Sequence, residues 1–196
     1  MLLTDTHHRG YLPHIEGAEY QAITYRLADS LPVEAMKQIK QSSRTDKKRR
    51  IEIEKYLDAG HGACLLRKPE IARIILNNWQ HFDGKRYHIL AYVIMPNHVH
   101  ILIQVLHSYR LSRIVQSWKS YTAKAISRLI QRDKLTWKAG GQIWQPDYWD
   151  RYIRNDTHLN STIGYIHQNP VKAGLAASPE AWPWSSIHQH QKIQRE

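Results

Sequence analysis

The stretch MPNHVHILIQ, residues 95–104, sets His98 and His100 one residue apart at the head of an apolar run. In an extended strand alternate side chains share a face, so His98, His100, Leu102 and Gln104 lie on one side and Val99, Ile101, Ile103 and Val105 on the other. The second set demands a core, which turns both imidazoles away from it. Side chains two residues apart on one face have Cβ atoms roughly 7 Å apart, close enough for two imidazole nitrogens to share one ion. Spacing alone leaves two readings open, a metal-ligand pair and two polar residues of an ordinary strand. The pair His188 and His190 lies in a polar tail and, in a chain with 13 histidines, reads as incidental.

A second chemical candidate is Tyr121. At about 100° per residue, LSRIVQSWKSYTAKAISRLIQ (111–131) gathers Leu111, Ile114, Val115, Trp118, Thr122, Ala125, Ile126 and Leu129 into one stripe, with Tyr121 about 80° from its centre beside Ser117, Lys124 and Arg128. A border tyrosine has its ring held by packing and its hydroxyl outside, and nearby cations would receive a phosphate and favour the phenolate. The alternative is an amphipathic helix that carries a boundary tyrosine with no chemical role.

The elements that must position these residues are readable in outline. EYQAITYRL (19–27) alternates as a strand and is followed by a helix start at ADSLP. DKKRR (46–50) and IEIEKYLDAGHG form a solvated helix or arm that ends at Gly60 and Gly62. PEIARIILNNWQH (69–81) places Ile71, Ile74, Ile75 and Trp79 at helical spacing behind a first-turn proline. RYHILAYVI (86–94) and HVHILIQVL (98–106) read as a hairpin around Met95, Pro96 and Asn97. After Gly140 and Gly141 comes an aromatic stretch, then a helix DTHLNSTIGYIHQ expected to end at Asn169 and Pro170. The fold expected is an α+β sandwich, an antiparallel sheet with helices on one face. Residues 1–175 form one domain, and 176–196 a partly ordered tail.

Lys plus Arg outnumber Asp plus Glu by 28 to 17, a net charge of +11, which points to a polyanion, nucleic acid first. Basic residues recur from Arg110 to Lys138 with Asp133 as the one acid among them. No run approaches the roughly 20 apolar residues of a membrane span, and no leader is visible, so the expectation is a soluble protein that is not exported. The single cysteine, Cys64, excludes a disulfide framework and a thiolate zinc cluster and fits the cytoplasm.

Read together, MPNHVHILIQ and SWKSYTAKAI (117–126) resemble the single-tyrosine HUH transposases, HUH meaning His, hydrophobic, His. RGYLPH (9–14), YRLADSLP (25–32), WQPDYWDRYIRND (144–156) and YIHQNPVKAGL (165–175) resemble their REP-associated branch. The resemblance implies a ferredoxin-like sheet with the histidines on a central strand, and metal-assisted cleavage and rejoining of single-stranded DNA. It implies Mg²⁺ or Mn²⁺ on His98 and His100, attack by Tyr121, and a 5′-phosphotyrosine with a free 3′-OH. The substrate implied is the hairpin of repetitive extragenic palindromes, bound by a monomer or homodimer in the cytoplasm at the nucleoid. Lys124, Arg128, Arg151 and Arg154 are the DNA contacts expected, with Trp144, Tyr148, Trp149 and Tyr152 as stacking partners or packing residues. One departure stands out. Relatives carry a glutamine four residues after the nucleophile as third metal ligand, and four after Tyr121 stands Ala125. Gln104, Asp147, Asp150, His158 or water are the replacements available. Two other readings remain: a weakly active or inactive hairpin-binding regulator, and a metal hydrolase that uses activated water.

Overall fold

The computed structural model describes residues 5–8, 13–16, 19–42, 45–137 and 139–188. Residues 9–12 of RGYLPH and the His190 end of the tail lie outside them. In chain order the elements are β1 Asp5–His8, β2 Pro13–Glu16, β3 Tyr20–Arg26, α1 Val33–Ser42, α2 Asp46–Asp58, α3 Pro69–His81, β4 Tyr87–Ile94, β5 His98–Val105, α4 Leu111–Arg132, β6 Trp149–Tyr152 and α5 Asp156–Lys172. β1 and β2 pair as a separate hairpin, and the main sheet is antiparallel throughout in the order β4-β5-β3-β6. The histidine strand β5 is therefore central, as expected.

Alternation sorts the sheet into two faces. Ile23 and Tyr25 of β3 and Val99, Ile101 and Ile103 of β5 are buried in one core with Ile71, Ile75 and Trp79 of α3 and Ile114, Val115 and Trp118 of α4. Large aromatics fill it, and their polar tips are satisfied inside. Trp79 Nε1 donates to Tyr25 Oη at 3.1 Å, Trp118 Nε1 donates to Tyr87 Oη at 2.9 Å, and Tyr87 Oη donates to the Trp79 carbonyl at 2.7 Å. Such pairing removes the cost of burying a phenol or an indole N–H. A bulge between Ile89 and Ala91 shifts the parity of β4. Before it Tyr87 faces the α3/α4 core, and after it Tyr92 and Ile94 do, leaving Ala91 and Val93 on the opposite face.

That opposite face carries a helix of its own, α5, which adds to the expected single layer. Ala91, Val93, Met95 and Leu102 are buried there against Ile166 of α5. α5 is capped by Asn155, whose side chain accepts from the His158 N–H, and it runs through Asn169 and Pro170 to Lys172 instead of stopping there. A proline in the last turn forfeits one backbone bond, and the exit is closed by the Leu175 N–H on the Pro170 carbonyl and by Gly174 at φ 68. The chain after Ala177 then lies along β4: the Ile94 N–H donates to the Trp184 carbonyl, Val93 bridges Ser185, and Trp182 Nε1 donates to the Ile94 carbonyl at 3.0 Å. α1 and α2 form a side cluster in which Leu31, Ile39, Ile53 and Leu57 bury Trp149 of β6.

Candidate active site

His98 and His100 leave the β5 backbone on the face that α5 covers, and both are buried. Each ring is held at its Nδ1: His98 by Asn97 Oδ1 at 2.8 Å, His100 by Thr24 Oγ1 at 2.7 Å from the adjacent strand. Their Nε2 atoms converge to 3.1 Å. Burial pushes both imidazoles down, His98 further by the proximity of His100 and Arg26, and His100 to about 3 with Lys172 contributing. Both rings are thus neutral across the physiological range, the state in which imidazole offers a lone pair to a metal. Orientation of ligand rings by partners at the other nitrogen is the usual device for fixing a metal site.

Tyr165 of α5 stands over this pair. Its ring meets His100 edge-on, with centroids 5.8 Å apart. Its hydroxyl donates to Glu54 Oε1 of α2 at 2.8 Å, and the Lys172 ammonium lies 5.5 Å from its ring centroid. Burial, followed by the charge of Glu54, raises the Tyr165 phenol above its ordinary value. Glu54 is itself raised by burial, against the opposing hydrogen bond from Tyr165. A cavity of about 510 Å³ opens beside them, lined by Arg50, Glu54, His100, Trp149, Arg151 and Tyr165 among others. It combines cations, an aromatic face and the phenol in one place.

The structure brings some of the expected site residues together and leaves others apart. His98, His100 and Arg151 belong to this site. Tyr121 does not reach it: α4 packs on the other face of the sheet, and Tyr121 is 60% exposed on that helix. Lys124 and Arg128 stay on the exposed surface of the same helix. Arg154 is exposed beyond the end of β6, its guanidinium 5.3 Å from the Tyr152 ring. Among the described residues no group of three His, Cys, Asp or Glu side chains gathers at a point, so Asp147, Asp150 and His158 do not complete the pair. Gln104 is engaged with Glu19 at 2.7 Å. Four residues after Tyr165, however, stands a buried amide, Asn169, whose Nδ2 donates to the Tyr165 carbonyl. The tyrosine-plus-amide spacing that fails at Tyr121 is present here, inside YIHQNPVKAGL, and that spacing was the signal available in the sequence.

Comparison with known proteins decides the family. The family described as IS200-like transposases matches residues 68–169, just over half of the chain, from the start of α3 through Asn169. The chain belongs to the IS200-like transposase family. Among curated members, a REP-associated tyrosine transposase of Escherichia coli K12 is 28% identical over 102 residues, covering 52% of this chain and 55% of its own. A Haemophilus influenzae protein, provisionally given the same description, is 28% identical over 113 residues, covering 55% of this chain and 63% of its own. The chain thus spans less than two thirds of the length of these curated relatives. A solved REP-associated tyrosine transposase bound to a REP hairpin shares the fold over 93% of this chain and 83% of its own, with a TM-score of 0.55 and 20% identity. This family member has the α+β sandwich of that structure, and among its described residues no helix is long and apolar enough to cross a membrane.

Proposed function

We propose that the chain cleaves and rejoins single-stranded hairpin DNA through a covalent bond between Tyr165 and a 5′ phosphate, with His98, His100 and Asn169 holding a divalent ion. The observation that carries this reading is the edge contact of Tyr165 with His100 on the sheet face opposite α4. The contact brings the Tyr165 ring against one of two imidazoles that converge, which supports Tyr165 as the nucleophile. Two imidazole nitrogens with an amide oxygen from Asn169 would suit Mn²⁺ better than Mg²⁺, which favours oxygen ligands. Such an ion supplies charge neutralisation at a phosphate oxygen.

The chain's own residues account for the remaining work. Asn97 and Thr24 orient the imidazoles. Arg151 and Arg50 line the cavity and neutralise phosphates, while Trp149, which also lines it, offers a face to an unpaired base. Tyr165 attacks in line and the 3′ oxygen leaves. The phosphotyrosine conserves the phosphodiester bond energy, so a 3′-OH can reverse the step without a nucleotide cofactor. The hairpin preference rests on the likeness to the hairpin-bound fold and on the chain's positive charge. The binding-only reading has its support in Ala125, and the Tyr165 and Asn169 pair supplies the spacing that is missing there.

The test is a labelled hairpin incubated with protein and Mn²⁺ and resolved on a denaturing gel. A covalent band should form with wild type and Tyr121→Phe and vanish with Tyr165→Phe. Loss with Tyr121→Phe and survival in Tyr165→Phe would reverse the assignment, and cleavage without any covalent band would favour activated water.

A further inference from the structure

Tyr165 must lose its proton as its oxygen bonds to phosphorus, and its hydroxyl already donates a hydrogen bond to a carboxylate. A proton acceptor within hydrogen-bond reach is therefore needed at the moment of attack. Glu54 Oε1, 2.8 Å away and contributed by a helix 111 residues earlier in the chain, accepts the hydrogen bond of the Tyr165 hydroxyl. Lys172, its ammonium 5.5 Å from the ring centroid, is a cation and has nothing to accept with. The carboxylate is held in place by its own helix: Ile53 and Leu57, on either side of it, are buried in the side cluster against Trp149. The charged groups that face Glu54 are Lys172 of α5 and Arg50 and Asp58 of α2.

We propose that Glu54 is a catalytic residue, the general base of cleavage and the general acid of rejoining; this rests on Tyr165 being the nucleophile. In cleavage the Tyr165 Oη–P bond forms, the phenolic proton passes to Glu54 Oε1, the P–O3′ bond breaks, and the departing 3′ oxygen takes a proton from water. In rejoining, an incoming 3′-OH releases its proton to water as its oxygen bonds to phosphorus. The P–Oη bond then breaks and Glu54 returns a proton to Oη. One proton is taken up and one released in each direction, and no further reactant enters.

Single-turnover cleavage of the labelled hairpin by the full chain in Mn²⁺ tests this, with hairpin affinity measured alongside. Glu54→Gln should slow cleavage and rejoining by about 10²–10⁴-fold while affinity is kept, and Glu54→Asp should recover part of the rate. A fluorinated tyrosine at position 165, whose phenol ionises more readily, should raise the Glu54→Gln rate by a larger factor than the wild-type rate. A residue that only shaped the site would not respond to phenol acidity. Wild-type rates in Glu54→Gln, or a slow variant that neither Asp nor the fluorinated tyrosine improves, would overturn the role of Glu54. If Glu54→Gln does not fold, Glu54→Ala is read in its place, and a wild-type rate there would do the same. A covalent adduct that persists in Tyr165→Phe would instead overturn the nucleophile assignment itself, so the two failures are distinct.

Discussion

At the scale of single residues, each imidazole of the histidine pair has a partner at its Nδ1. Asn97 precedes His98 in the turn and is itself anchored, its Nδ2 donating to the His61 carbonyl at 3.0 Å. Asn97→Ala should therefore free the His98 ring and raise the Mn²⁺ concentration needed for half-maximal cleavage by about 10–100-fold, with hairpin affinity unchanged in the absence of metal. Asn169→Ala should do at least as much, measured in the same titration, because it removes a proposed ligand and leaves the two imidazoles. The histidine pair was legible in the sequence because strand alternation puts residues on faces without knowledge of the fold. Tyr165 was less so. Its neighbours His100 and Glu54 are distant in the chain, and the local pattern around Tyr165 is that of a mixed helix end, whereas Tyr121 sits on a cleaner amphipathic stripe.

At the scale of elements, periodicity succeeds where one face of an element is buried against one layer. α3 and α4 are of this kind, and α4 spans Leu111–Arg132 against an expected 111–131. The same helix gives a sharp contrast. Trp118 is fully buried with its indole N–H bonded to Tyr87, so Trp118→Ala should cost about 3–5 kcal/mol in a denaturant titration. Tyr121→Ala, at an exposed position one turn further on, should change stability by no more than about 0.5 kcal/mol and leave the covalent adduct intact. Periodicity fails where a local irregularity or a second layer intervenes. The β4 bulge changes which residues face the α3/α4 core halfway along a strand, and the burial of α5 on the histidine face depends on Ile166 meeting Leu102, a contact that neither segment announces alone.

At the scale of the whole molecule, the chain carries a net charge of +11, and cations stand on both sides of the sheet. Arg50 and Arg151 line the cavity, and Lys124 and Arg128 occupy the outer surface of α4. Each phosphate contact to a single strand contributes about 0.7 to the slope of log affinity against log salt. The double variant Arg50→Gln with Arg151→Gln should thus flatten that slope by about 1.4 in fluorescence anisotropy titrations across a salt series, while Lys124→Gln with Arg128→Gln should leave it as it is. The covering of β5 on both faces has a further consequence, for dynamics. A central strand buried from His98 to Ile103 opens only when the molecule does, so its amides should be among the last to exchange with deuterium. Glu54 and its helix, held by the small side cluster, should exchange through local opening. The proposed metal site and the proposed proton acceptor then belong to units of different stability, so local opening of α2 should leave the exchange of the β5 amides unchanged.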